Sequence, residues 1–179
     1  FSQTECNECP SGRRSDAGSV SCSLCPAGWY VSEANCESCE AGMYQDGIEQ
    51  NSCLDCPRGY VSIDAAASSC DICKMGEFMN TTGSSKCDTC KTGRFKNEQL
   101  FQGNTFDMYM CEACPKGRYQ IDAGQTTCLR CQPGQHQDLL GASTCKLCLT
   151  NYFANEPSST KCHACSKGRY TAVTGQARC

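Results

Sequence analysis

Ten Cys-x-x-Cys doublets set the plan of this chain. They begin at Cys6, Cys22, Cys36, Cys53, Cys70, Cys87, Cys111, Cys128, Cys145 and Cys162, and Cys179 stands where an eleventh would start. Successive doublets are 16, 14, 17, 17, 17, 24, 17, 17, 17 and 17 residues apart. A period that short, held that long, belongs to repeat architectures, in which each unit is too small to fold alone. The 21 cysteines make up about 12% of the 179 residues, above the level that marks a disulfide scaffold. The hydrophobic share of 39% includes them, so little is left to fill a conventional core. Modules that cannot build a core are stapled instead, and dense disulfides place the protein outside the cell or at its surface.

The stretch from Cys114 to Cys128 shows the design of a unit: Cys-Pro-Lys-Gly-Arg-Tyr-Gln-Ile-Asp-Ala-Gly-Gln-Thr-Thr-Cys. Aligned on the second cysteine of each doublet, the third place after it holds Gly12, Gly28, Gly42, Gly59, Gly76, Gly93, Gly117, Gly134, Asn151 and Gly168. Nine glycines and one asparagine are what a backbone site with positive φ selects. Proline follows the cysteine directly at Pro10, Pro26, Pro57 and Pro115, where it presets φ for a tight turn. The fifth place holds Tyr30, Tyr44, Phe78, Phe95, Tyr119, Phe153 and Tyr170, with Arg14, Val61 and His136 as the exceptions. A fixed apolar residue among variable neighbours predicts a short extended segment, its side chain covering the disulfide or the next unit. A second turn follows, as at Asp46-Gly47, Thr82-Gly83, Asp122-Ala123-Gly124 and Thr174-Gly175. No segment carries helical periodicity.

Three ways of using the cysteines fit their number. The second cysteine of each doublet can bond the first of the next, giving Cys9–Cys22, Cys25–Cys36, Cys39–Cys53, Cys56–Cys70, Cys73–Cys87, Cys90–Cys111, Cys114–Cys128, Cys131–Cys145, Cys148–Cys162 and Cys165–Cys179. Cys6 would then pair upstream of the sequence. Each doublet can instead bond to itself, or successive doublets can share a zinc ion, since paired Cys-x-x-Cys is a standard tetrahedral spacing. The staggered scheme is favoured because it encloses the recurring glycine and aromatic. Each loop of about 15 residues then contributes roughly 3 kcal/mol through the unfolded chain. Self-bonded doublets are the strained, reactive kind found at a helix start in a βαβ setting. Zinc would take the doublets two by two, and the spacings do not alternate.

The run Cys-Pro-x-Gly-x-Tyr, a glycine-containing turn, then Cys-x-x-Cys resembles the ephrin-receptor-like cysteine-rich repeat. It is also similar to the first module of the tumour-necrosis-factor-receptor cysteine-rich domains. The likeness extends from Cys6 to Cys179 and implies an extracellular ladder of modules whose loop-closing bonds join the staggered positions. Tumour-necrosis-factor receptors alternate this module with one of two interlocked disulfides. Here the simple module follows itself, which favours a uniform rod.

The expected fold is therefore small and disulfide-rich: an elongated tandem array of about ten 17-residue disulfide-closed modules with short irregular β hairpins and little or no helix. Residues 1–8 end a truncated upstream repeat, 9–89 hold five repeats, 90–111 form a longer repeat with an apolar insertion, and 112–179 hold four more. The chain starts and stops within the pattern, as a fragment of a longer protein would. The net charge of -3 is spread without long runs, and no basic stripe points to nucleic acid. No apolar run approaches the roughly 18 residues of a membrane span.

Three features invite a functional reading. The long unit gathers Leu100, Phe101, Phe106, Met108, Tyr109 and Met110, either folded over their own loop or forming a contact patch for another chain. Asn80-Thr81-Thr82 is an N-glycosylation sequon on a turn. His136 stands where an aromatic usually stands and His163 lies inside a doublet, and neither is expected to hold a metal while the cysteines are oxidised. No nucleophile–base pattern, phosphate-cradling loop or calcium loop is present in the sequence. The expectation is a non-enzymatic chain without cofactor, a structural stalk, coat or fibre component. Its partners would be other copies of itself, other extracellular proteins or glycans. The alternative is a ligand-binding receptor ectodomain.

Overall fold

The computed structural model describes residues 8–10, 13–33, 35–97 and 109–179. Among them, eighteen short strands form nine two-stranded antiparallel hairpins, with no helical element. The chain divides into two compact units, one of Phe1–Cys73 with Met79–Cys87, the other of Lys74–Phe78 with Asp88–Cys179.

Each repeat is built the same way. We number its places from the cysteine that opens the loop, the second of a doublet. The amide at place 4 donates to the carbonyl at place 1, as in Arg118 to Pro115 at 3.1 Å and Arg94 to Lys91 at 3.0 Å. The residue at place 3 has positive φ, +84° at Gly28, +78° at Gly117 and +66° at Asn151. Positive φ at the third residue of a β-turn is the type II arrangement, which selects glycine or asparagine. Proline occupies the first residue of this turn. It therefore stiffens the approach and does not preset the turn's own φ, as the sequence had suggested.

Places 4 and 5 then pair with the two middle residues of the next doublet. Tyr44 lies opposite Leu54, Tyr60 opposite Ile72, and Tyr119 opposite Leu129. The pairing brings the doublet's first cysteine back toward the loop's opening cysteine. In every repeat Cα–Cα distances of 5.6–5.8 Å span the bridge. That separation lies inside the range a disulfide requires.

Repeats are joined by backbone bonds that recur in register. The place-3 residue donates to the place-6 carbonyl of the next repeat and accepts from the next opening cysteine. Gly117 donates to Gln137 at 2.8 Å and accepts from Cys131 at 3.0 Å; Gly42 donates to Ser62 and accepts from Cys56, both at 2.9 Å. At place 10 the backbone again has positive φ, at Glu49, Ala66, Gly83, Gly124, Gly141, Ser158 and Gly175. Its amide reaches back to the opening cysteine of the previous repeat, as Gly83 does to Cys56 and Gly141 to Cys114. Its carbonyl lies directly over the place-3 glycine two repeats back. Ala66 covers Gly28 and Gly83 covers Gly42 in the first unit; Gly124 covers Gly76 and Gly141 covers Gly93 in the second. Contacts in a repeat array are expected between neighbours. Here they extend to the next neighbour but one.

The core is correspondingly thin. Opening cysteines are fully buried at Cys25, Cys39, Cys56, Cys90, Cys114, Cys131 and Cys148. The aromatic place 5 is only half-buried in most repeats, whereas place 6 is closed off throughout this series: Gln45, Ser62, Met79, Lys96, Gln120, Gln137, Ala154 and Thr171.

Candidate functional site

Every described cysteine is in a disulfide. The structure joins Cys9–Cys22, Cys25–Cys36, Cys39–Cys53, Cys56–Cys70, Cys73–Cys87, Cys90–Cys111, Cys114–Cys128, Cys131–Cys145, Cys148–Cys162 and Cys165–Cys179. Cys6 lies outside the described residues. Eight of the bridges span 13 or 14 residues, Cys25–Cys36 spans 11 and Cys90–Cys111 spans 21.

Among the described residues the buried polar side chains all stand at place 6, which the sequence did not single out. A buried polar side chain must find partners, and three solutions occur. Gln45, Gln120 and Gln137 clip their own loops. Gln137 Nε2 donates to the Thr144 carbonyl at 2.7 Å, and its Oε1 accepts from the Leu139 amide at 3.0 Å. Gln120 makes the matching pair with Thr127 and Asp122. Ser62 and Thr171 clip the preceding repeat instead: Ser62 Oγ accepts from Gly42 and donates to Met43, and Thr171 Oγ1 accepts from Asn151 at 2.7 Å. Lys96 is the third case. It is only 1% exposed, and its Nζ donates to the Glu77 carbonyl at 2.8 Å. Burial pushes its ammonium below its ordinary value, with Glu77 opposing in part.

The sequon asparagine, Asn80, is exposed, as are Thr81 and Thr82. Thr81 Oγ1 contacts Met79 Sδ and Ser84 Oγ. Of the apolar insertion, Leu100, Phe101, Phe106 and Met108 lie outside the described residues; Tyr109 is half-buried and Met110 is 44% exposed. His136 is half-buried with Nδ1 3.1 Å from Cys162 Sγ. It gathers with Cys148 and Cys162 within 4.8 Å. Those two sulfurs are bonded to each other, so the thiolates a metal needs are absent from this arrangement. His163 is exposed and lies edge-tilted against Phe153, ring centroids 6.0 Å apart.

On the first unit an open pocket of about 310 Å³ is lined by Tyr30, Glu37, Ser38, Glu40, Met43, Ser52 and Cys53. Tyr30 and Glu37 face each other across a hairpin, and the phenol donates to the carboxylate at 2.7 Å. That bond raises the phenol above its usual range. No helix among the described residues is long and apolar enough to cross a membrane.

Two segments of the chain, residues 28–73 and 104–144, match the family described as tyrosine-protein kinase ephrin type A/B receptor-like. A search of curated proteins finds no match. The matched segments share the staggered bridges and tight turns with the repeats around them, so the chain is a tandem array of cysteine-rich repeats, two segments of which are similar to the ephrin-receptor-like family.

Proposed function

We propose that this array is a structural segment of a larger extracellular protein, a stiff, disulfide-stapled rod serving in a stalk, coat or fibre, with a mechanical and not a catalytic role. The observation that carries this reading is the recurrence, within each unit, of the same three links: a bridge inside each loop, backbone bonds to the next repeat, and a glycine covered by the repeat after that. A covalent loop contributes roughly 3 kcal/mol without any core, and contacts that skip a repeat resist bending at each junction. The dense disulfides and the receptor-like family match support an extracellular or cell-surface setting.

The second reading, a ligand-binding ectodomain, is favoured by the receptor-like character of the matched family. Small-angle scattering and electron microscopy of the oxidised chain separate the two. A concentration-independent rod-like profile, or filaments, fits the structural role. A flexible coil of loops in scattering contradicts it, and saturable binding of a soluble ligand at the Tyr109–Met110 region supports the ectodomain.

A further inference from the structure

The modest net charge conceals two opposite halves. The first unit carries 11 carboxylates against four Lys and Arg, a net of -7; the second carries eight against 12, a net of +4. Three ion pairs occur among the described residues, Arg13–Glu49 and Arg14–Asp16 in the first unit and Lys146–Asp138 in the second. Each pair removes one charge of each sign, so both excesses stand. On the second unit three of the twelve cations stand together on one hairpin. Arg118 and Arg130 are direct cross-strand partners and so share a face, with Lys116 exposed in the turn beside them. None of the three has a carboxylate within 4.0 Å among the described residues. Like charges directly opposite in a hairpin are destabilising, and an incoming anionic surface would relieve that repulsion.

We propose that the Arg118–Arg130 face of one chain docks on the acidic first unit of a second copy, in the pocket formed by Tyr30, Glu37 and Glu40. The occupant is argued from charge complementarity within one sequence, -7 against +4, and from the fit of the pocket to a guanidinium. Its volume of about 310 Å³ admits an arginine head, the Tyr30 ring offers a face for cation–π contact, and the exposed Glu37 and Glu40 carboxylates match the guanidinium fork. Because the two surfaces differ, the contact is heterologous and propagates head to tail without closing unless the rotation happens to form a ring. The inference rests on the structural role proposed above and supplies the chemistry by which copies would assemble.

Sedimentation velocity of the intact oxidised chain tests it. The expected result is concentration-dependent association at about 20 mM salt that is lost at about 500 mM, where screening falls to a few ångströms. Arg118→Glu with Arg130→Glu should weaken association at least tenfold, as should Glu37→Lys with Glu40→Lys, while a mixture of the two reversed chains should associate again. Arg118→Gln with Arg130→Gln serves as the milder pair, and unchanged non-reduced mass and circular dichroism establish folding. A chain that stays monomeric at low salt, or association indifferent to these changes, overturns the proposal. So does retention on a sulfated polyanion that needs Arg118 and Arg130 without self-association, which would assign the face to polyanions. In each of these outcomes a rod-like scattering profile would leave the mechanical reading standing.

Discussion

The Ser158 carbonyl lies where a side chain on Gly117 would have to start. Gly117 also has φ +78°, so two separate demands fall on it, a left-handed turn and close approach by a backbone two repeats away. Gly168 has φ +80° but nothing within 4 Å of its absent Cβ. The pair separates the two costs. Gly168→Ala should lose about 1 kcal/mol, the left-handed penalty alone. Gly117→Ala should lose about 2–4 kcal/mol, because overpacking against an immobile backbone adds to it. Thermal unfolding of the oxidised proteins measures the gap. Equal losses would remove the next-neighbour-but-one contact from the account.

Gln137 holds its loop at two part-buried points, and leucine in its place would leave the Leu139 amide and the Thr144 carbonyl without this partner. Gln137→Leu is expected to cost about 2 kcal/mol and to speed hydrogen exchange at the Leu139 amide. Exchange unchanged at Leu139 would mean that the side chain is not a clip.

Lys96 and Met79 occupy the same place in successive repeats, both buried. Burial lowers the folded-state pKa of Lys96 below its ordinary value of 10.5. Between those two values the unfolded chain binds more protons, so stability rises as pH climbs through the folded pKa toward the unfolded one. Lys96→Met should remove that alkaline rise and leave stability at neutral pH equal or higher. Denaturant titrations at about pH 7 and pH 9.5 give the comparison; a Lys96→Met chain that keeps the wild-type slope contradicts it.

Asn80 is exposed on its turn, with Thr82 two places on. Secretion from eukaryotic cells should yield a chain carrying one N-linked glycan there, detected as a mass that peptide N-glycosidase removes while converting Asn80 to Asp. Asn80→Gln should lack it. Secreted wild-type protein with an unmodified Asn80 would show that the sequon is not used.

What could be read from the residues follows from which constraints are local. The turn at place 3 needs a particular φ, and only Gly and Asn tolerate it well, so Gly28, Gly117 and Asn151 announce it. The spacing of cysteines likewise displays the modules. Place 6 was invisible because its burial is imposed by the stacking of repeats. Gln45, Met79, Lys96 and Ala154 share a position without sharing a chemistry, so no pattern marks them. The cover over Gly117 was hidden for another reason: the turn alone accounts for a glycine, and nothing in Ser158 signals its carbonyl's position. The division of charge escaped notice because opposite excesses cancel in the total, and only the boundary between the two units exposes them.

Peptide mapping of the unreduced protein addresses the central claim, that the doublets are bridged in a stagger. Ten bridges lower the mass by about 20 Da, two hydrogens for each bond. Digestion should release Cys114 linked to Cys128 and Cys111 linked to Cys90. Recovery of Cys111 joined to Cys114, or of free thiols accompanied by bound zinc, would contradict the architecture on which every repeat-to-repeat contact depends.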